Sequence, residues 1–343
     1  MKILVTGASG FIGSHTVLVL LEAGHEVVGV DNLTNSSRES LRRVESLTHR
    51  RVRFIEADIR DRAAMADVMK ASSDRPFDAV MHLAGLKAVS ESTQQPLTYY
   101  ENNLDGTLAL LNVMQSADIR RIIFSSSATV YGDPVAVPIP ETAPVGQPAH
   151  PYGYTKLMIE RVLCDLASAD PRWSVALLRY FNPVGAHPSG QIGEDPSGTP
   201  NNLVPFISQV AVGRRDALTL YGDDYPTSDG TGVRDYIHVM DLARGHLAAL
   251  DYLAGHDVTG SRIWNLGTGR GYSVREVVAA FEKAAERTIP VRVAPRRPGD
   301  IAACYADPTL AQAQLGWRPE YKLDAMMRDA WNWQRQNPAG YSD

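Results

Sequence analysis

Through its first 180 residues the chain alternates short aliphatic, β-branched runs with longer stretches in which apolar positions recur every three or four residues. KILVT is followed by FIGSHTVLVLLEAG, EVVGV by a polar helical stretch and VRFIE by AAMADVMKA; AVMHLA, RIIFSS and VALLRY come after them. Most of the runs are nearly all apolar, the pattern of strands covered on both faces. Parallel strands need crossover connections, and amphipathic helices between buried strands supply them. The pattern predicts an α/β fold built on a doubly wound parallel sheet.

The texture changes after Tyr180, where NPVGAHPSGQIGEDPSGTPNNLVP is rich in glycine and proline and has no period. A stretch of about 20 irregular residues inside a compact chain is more often a binding loop than a spacer. Strand and helix character return in DYIHVMDLARGHLAALDYL and RIWNLG, then in SVREVVAAFEKAAE, the short strand IPVRV and a last helix near LDAMMRDAWNWQ. The expected organisation is a first domain of residues 1–181 plus about 236–269, and a smaller, discontinuous C-terminal domain of about 182–235 plus 270–343. No internal repeat interrupts it.

With 343 residues, 44% of them hydrophobic, the chain can bury a large core. A net charge of -5 and scattered Lys and Arg offer no basic stripe, so nucleic acid is not an expected partner. No run reaches the ~18 apolar residues that span a bilayer, so no membrane partner is expected either. The opening MKILVTGASGFIG starts as a leader peptide would, but glycines break it and no small-residue cleavage site follows. Cys164 and Cys304 lack CxxC or Cys/His spacing, which argues against disulfides and a metal site and fits a reducing cytoplasm.

TGASGFIG follows the first predicted strand, placing Gly7, Gly10 and Gly13 ahead of an apolar helical face. Its spacing is GxxGxxG, but the physical task is that of a dinucleotide cradle. Glycine permits the tight turn and close backbone approach, and a helix N-terminus offers N–H groups and positive dipole to a pyrophosphate. An ordinary glycine turn is the competing reading. Context favours the cradle, because Asp31 ends the next strand, where a carboxylate accepts from a ribose 2′-hydroxyl and repels a 2′-phosphate. The sheet is therefore expected to be Rossmann-type, with NAD preferred to NADP. Asp58 is placed for an adenine contact or for capping the helix beginning near Asp61. AGLKAV, after the fourth strand, brings its backbone and Lys87 to the mouth of the sheet.

HPYGYTK puts Tyr152 and Lys156 on one helical face, after a strand that delivers Ser125, Ser126 and Ser127 to the carboxyl edge of the sheet. A Tyr-x-x-x-Lys spacing arises by chance in about one chain in four of this composition, so its surroundings must decide. Here serine, tyrosine and lysine converge beside the expected cofactor. This combination resembles the extended short-chain dehydrogenase/reductase superfamily. Within it, TGASGFIGSHT, HLAGLKAV, SSSATVYG, LRYFNPVGAHPSG, PNNLVPF, GTGVRDYIHVMDLA and NWQRQNPAGY are similar to the bacterial UDP-glucose 4-epimerases, over essentially the whole chain.

The resemblance implies an NAD-retaining enzyme that interconverts UDP-galactose and UDP-glucose through a 4-keto sugar. It implies Tyr152 as the base, Ser127 as its hydroxyl partner, and Lys156 as a residue that bonds the nicotinamide ribose and lowers the tyrosine pKa. A free phenol titrates near ~10, and bringing it to neutrality takes about 4 kcal/mol. Cofactor contacts are implied for Phe11, Ile12, Asn32, Asn35, Ser36 and Ile59, for Leu83, Ala84, Gly85 and Lys87, and for Asn102 and Phe181. They join Gly7, Gly10, Gly13, Asp31, Asp58 and the catalytic three. Substrate contacts are implied for Ser127, Tyr152, Asn182, Asn202, Leu203, Tyr221, Arg234, Tyr236, Arg297, Asp300 and Cys304. Arginine suits a diphosphate because its planar fork donates bidentately. A homodimer is implied, through helices around residues 87–116 and 152–168.

Two positions depart from the pattern. Leu83 stands where an aromatic residue is usual, and Cys304 where relatives vary between a tyrosine and a small residue. A small side chain leaves room beside the sugar 2-position, so N-acetylated UDP-hexosamines are expected as further substrates. A nucleotide-sugar 4,6-dehydratase is the nearest rival, but it needs proton-carrying carboxylates in the segment where this chain has Ala128 and Thr129. A cofactor-sensing protein without catalysis would have no need of the intact serine, tyrosine and lysine.

Overall fold

The computed structural model describes residues 1–70, 75–256, 258–297 and 299–341. In chain order its strands are β1 (Lys2–Thr6), β2 (Glu26–Asp31), β3 (Arg53–Glu56), β4 (Ala79–His82), β5 (Arg121–Ser127), β6 (Ser174–Tyr180), β7 (Asn182–Val184), β8 (Leu218–Tyr221), β9 (Val233–His238), β10 (Gly260–Leu266), β11 (Gly271–Ser273), β12 (Val291–Ala294) and β13 (Ala303–Cys304). The helices are α1 (Phe11–Glu22), α2 (Glu39–Thr48), α3 (Arg62–Lys70), α4 (Val89–Gln94), α5 (Pro96–Tyr99), α6 (Gly106–Ser116), α7 (Pro151–Ala169), α8 (Leu203–Ala211), α9 (Val239–Gly255), α10 (Val274–Ala285), α11 (Thr309–Leu315) and α12 (Leu323–Gln336).

Seven strands form one parallel sheet in the order β3-β2-β1-β4-β5-β6-β10. The chain runs outward from β1 to β3, then restarts at β4 on the other side of β1. The carboxyl ends of β1 and β4 therefore flank the switch point, where ligands bind in such sheets. Alternate residues serve opposite faces. Ile3, Val5 and Met81 pack with Leu18 and Leu21 of α1 and Leu242 of α9, whereas Leu4, Val80 and Phe124 pack with Met65 of α3, Leu110 of α6 and Leu163 of α7. Double coverage explains why these strands read as apolar runs; each fully buried Leu or Phe contributes roughly 2–3 kcal/mol.

A second core brings Val204 and Ile207 of α8 together with Phe281 of α10 and Met326 and Met327 of α12. Beside it β9 pairs with β11, β13 and β7, and β8 pairs with β12. A smaller cluster of Ala128, Val130, Tyr131, Ile139, Phe181, Cys304 and Ala306 joins the end of β5 to β13. Among the described residues no helix is long and apolar enough to cross a membrane, and no group of His, Cys, Asp or Glu is placed to hold a metal ion.

Candidate active site

The opening of α7 is set by local chemistry. His150 is its N-cap, Nδ1 accepting the Gly153 N–H at 3.1 Å, and Pro151 takes the first position, where no N–H is needed. The His150 and Tyr152 rings stack with centroids 5.9 Å apart. Along the face that follows, Tyr152, Lys156 and Glu160 meet the three serines that end β5. Ser127 is the polar neighbour whose hydroxyl favours the charged form of the Tyr152 phenol. Lys156 Nζ donates to the Ser125 carbonyl at 2.6 Å, and the Ser126 hydroxyl donates to Glu160 Oε1 at 2.5 Å.

Ser127 Oγ also accepts from the N–H of Thr129 at 3.2 Å and from its hydroxyl at 3.0 Å. With both lone pairs engaged, Ser127 is left to act as a donor. Electrostatics are less simple than the resemblance implies. Burial pushes the phenol up to about 12, with the neighbouring Ser127 hydroxyl pulling the other way. Burial also pushes the Lys156 ammonium down to about 7, opposed by the Glu160 carboxylate. Lys156 Nζ lies 5.9 Å from the Tyr152 ring centroid and is turned to a backbone carbonyl. Among the chain's own groups, burial outweighs the Ser127 hydroxyl at the phenol.

At the switch point Gly7 adopts φ +71°, and a Cβ on it would lie 2.6 Å from Ala84 N, so the loops after β1 and β4 meet there. A Cβ on Gly13 would strike Gly7 O at 1.9 Å. Gly10 is different: the nearest atom would be 3.4 Å away, an ordinary contact, so no protein group demands glycine there. Gly10 is also the N-cap of α1 with no side-chain cap and no acidic residue in the first turn, Phe11–Ser14. An open glycine beneath uncapped N–H groups fits a pyrophosphate.

Several of the residues assigned to the ribose side gather around Asp31. The buried Asp31 carboxylate accepts from Ser9 N at 3.0 Å, Leu33 N at 3.0 Å and Ser36 Oγ at 2.8 Å. Asn32 Nδ2 donates to Asp58 at 3.0 Å. Asp58 is not the cap of α3; Asp61 is, accepting Ala64 N at 3.0 Å. Asp58 instead chelates Arg60 at 2.9 and 2.8 Å, which holds its carboxyl well below the usual range. Ile59 is buried against Gly106. Leu83 N and Ala84 N donate to the carbonyl and hydroxyl of Thr6. A Cβ on Gly85 would lie 3.8 Å from Lys156 Nζ, so the AGLK loop borders that lysine.

The long irregular segment is a strap over this mouth. Ser197 N donates to Asn35 Oδ1 at 3.2 Å, and Glu194 Oε1 accepts from Lys87 Nζ at 2.7 Å and Asn202 Nδ2 at 3.1 Å. Trp333 Nε1 and the Tyr341 hydroxyl fasten it from the C-terminal end. Arg297 stacks over Tyr221 at 4.3 Å and pairs with Asp300 at 3.5 Å. Cys304 is paired in register with Arg234. Asn182, exposed at the start of β7, is opposite Tyr236 on β9. Tyr236 is buried in the second core, and Leu203, partly buried, packs against it. Phe181 and Cys304 share the small cluster beside Ala128.

A UDP-glucose 4-epimerase of Erwinia amylovora is 57% identical over 342 residues, 100% of both chains. That of Homo sapiens is 56% identical over 346 residues, 99% of this chain and 98% of its own. The chain belongs to the UDP-glucose 4-epimerase family. The crystal structure of the family member from Bifidobacterium longum in complex with NAD+ and UDP superposes with a TM-score of 0.96 at 53% identity, covering 99% of this chain and 100% of the other. The broader family model for GDP-mannose 4,6 dehydratase matches residues 4–330. Its dehydratase label finds no carboxylate after Ser127 in this epimerase-family chain: Ala128 is buried and the Thr129 hydroxyl is spent on Ser127.

Several residues that build the site were not singled out from the sequence. Asn103, buried beside the expected Asn102, holds Leu86 N and O at 2.8 and 2.9 Å and Thr155 Oγ1 at 3.1 Å, tying the AGLK loop to α7. Asn102 itself donates to Asn103 at 2.9 Å. Both lie on a π-helical turn, Tyr100–Asp105, a local irregularity frequent at functional sites but without a signature in sequence. Glu160 and Glu194 were legible only as polar residues; their partners are remote in the chain.

Proposed function

We propose that this chain interconverts UDP-galactose and UDP-glucose by inverting carbon 4 of the hexose through a 4-keto intermediate, with NAD retained throughout. The observation that carries the reading is the meeting of α7 with the end of β5 and the AGLK loop: Lys156 Nζ donates to the Ser125 carbonyl and borders Gly85, while Ala84 of the same loop packs on Gly7 of the cradle. NAD, when bound, would supply a hydride acceptor and a cationic ring. Gly7, Gly10 and the first turn of α1 would hold its pyrophosphate, and Asp31 its ribose. Asp31 selects against a 2′-phosphate by charge.

Tyr152 takes the proton of the sugar 4-hydroxyl as the hydrogen on carbon 4 leaves, and gives it back when that hydrogen returns to the opposite face. Ser127 donates to the phenolate and so stabilises it. Between the two half-reactions the nucleotide must stay fixed while the sugar turns. Asn182, Asn202, Arg234, Arg297 and Asp300 are assigned to that grip, with Leu203, Tyr221 and Tyr236 beside them, and residues of about 182–235 and 270–343 are read as the nucleotide-sugar domain. Cys304, small and among apolar neighbours, supports acceptance of N-acetylated UDP-hexoses as well.

A homodimer through the α4–α6 region and α7 is supported by apolar side chains left in the open there: Val89 at 40%, Leu97 at 73% and Met158 at 40% exposure. Both cysteines are free, which supports a cytoplasmic setting. Incubation with UDP-galactose and chromatography of the products tests the reading. UDP-glucose supports it, a 4-keto-6-deoxy product supports a dehydratase, and unchanged substrate with bound dinucleotide supports a cofactor-sensing protein.

A further inference from the structure

The face of α7 that carries Tyr152 and Lys156 continues to Glu160. Its side chain is 5% exposed and its carboxylate is fully engaged. Oε1 accepts from the Ser126 hydroxyl at 2.5 Å and from Arg179 Nε at 2.9 Å, and Oε2 accepts from Arg179 Nη2 at 2.7 Å. Arg179 also donates to the Tyr131 hydroxyl at 3.0 Å, which donates to Asn265 Oδ1 at 2.7 Å. One carboxylate thus ties the catalytic helix to the ends of β5, β6 and β10 and to the turn that follows Ser127. Stability alone does not account for it, because a buried ion pair is often matched or bettered by apolar residues of like volume.

We propose that Glu160 is a positioning residue of the reaction: by gripping Ser126 it holds the carbonyl of Ser125 and the hydroxyl of Ser127 in register with Lys156 and Tyr152. The inference rests on the functional reading above. The two groups flank the gripped residue, so a shift of the strand end displaces both at once. Glu160 also lies one helical turn from Lys156 and is the group that opposes the downward pull of burial on that ammonium. The other titratable groups facing Lys156 are Tyr152 on the same helix and His82 on β4, which burial keeps neutral. Arg179, from β6, is bound to Glu160 itself.

Two variants of the NAD-loaded enzyme test this. Ser126→Ala removes the grip and leaves the ion pair intact. Its turnover of UDP-galactose is expected to fall ~10-fold or more, with KM and melting temperature nearly unchanged, since small misplacements near the chemistry cost that much. Glu160→Gln removes the charge, and is expected to move the high-pH limb of the turnover profile to lower pH as Lys156 loses its proton sooner; Glu160→Asp restores the limb. Should Glu160→Gln fail to fold with Arg179 unpaired, Ser126→Ala decides. Natural turnover in Ser126→Ala, or an unmoved limb in folded Glu160→Gln, overturns the proposal. The two levels fail differently: a natural chain that converts no UDP-hexose sinks the functional reading and this inference with it, whereas a working natural chain matched by Ser126→Ala sinks this inference alone.

Discussion

Lys87 and Glu194 form an ion pair of 2.7 Å across the mouth of the main sheet, the lysine half-exposed and the glutamate nearly buried. The same glutamate oxygen accepts from Asn202, so one carboxylate links the loop after β4, which borders Lys156, to the segment leading into α8. Because Lys87 is open to water the pair itself contributes on the order of 1 kcal/mol or less. Its effect is to pin the strap.

Glu194→Ala is therefore expected to leave the melting temperature within a few degrees of the natural value while loosening the strap. Faster proteolytic cleavage around residues 195–202 and faster loss of dinucleotide on dialysis are the expected results. Cleavage and retention equal to those of the natural chain would show that the strap is held by its C-terminal fastenings alone.

Tyr152→Phe keeps the ring and its stacking on His150 but deletes the oxygen. Turnover is expected to drop about 10²- to 10⁴-fold, the range of a lost general base, with KM for UDP-galactose little changed. Steady-state kinetics check this, and turnover within a few-fold of natural would take the tyrosine out of its role.

Acid should destabilise the fold before its carboxylates titrate. Burial holds His15 and His82 down to about 3 and His246 to about 4, so they stay neutral in the fold while the unfolded chain takes up protons below about 6.5. A histidine lowered on folding contributes stability that is present above pH 6.5 and lost as pH falls toward its folded value. Three of them imply a loss of roughly 3–4 kcal/mol between pH 6 and 5, each taking up about one proton on unfolding. Asp235 and Asp241, raised by burial, act the other way at lower pH. Denaturant titrations at pH 7, 6 and 5 measure the loss, and His15→Gln should reduce it by about a third. A flat profile would refute the account.

Cys304 shares its cluster with Ala128 and Phe181, next to the residues that follow Ser127. Cys304→Tyr is expected to lower turnover of UDP-N-acetylglucosamine at least ~10-fold while leaving UDP-galactose within a few-fold, the ordinary consequence of filling a pocket. Competition assays with both sugars decide it. Equal effects on both, or no activity on the acetylated sugar in either form, would remove the cysteine as the determinant.

What could be read in advance was whatever a short window encodes. The glycine cradle, the tyrosine-to-lysine spacing and the apolar runs depend on neighbours a few residues away, and they lie where the pattern put them. The Glu160–Arg179 pair and the Glu194–Lys87 pair join residues on different elements, and no local period marks them. The phenol was expected to be lowered by the lysine one turn along together with the oxidised nicotinamide. Only the fold shows that Lys156 spends its proton on the Ser125 carbonyl and that desolvation dominates at Tyr152. The second core was harder still, because its strands are short and its helices come from three separated segments.

The central claim is that the hydrogen of carbon 4 leaves the sugar, is kept inside the site and returns to the other face. UDP-galactose deuterated at carbon 4 tests it most directly, with the purified chain in ordinary water and mass spectrometry of the UDP-glucose formed. Retention of the deuterium at carbon 4 is the predicted result; its replacement by hydrogen from the solvent would contradict the account.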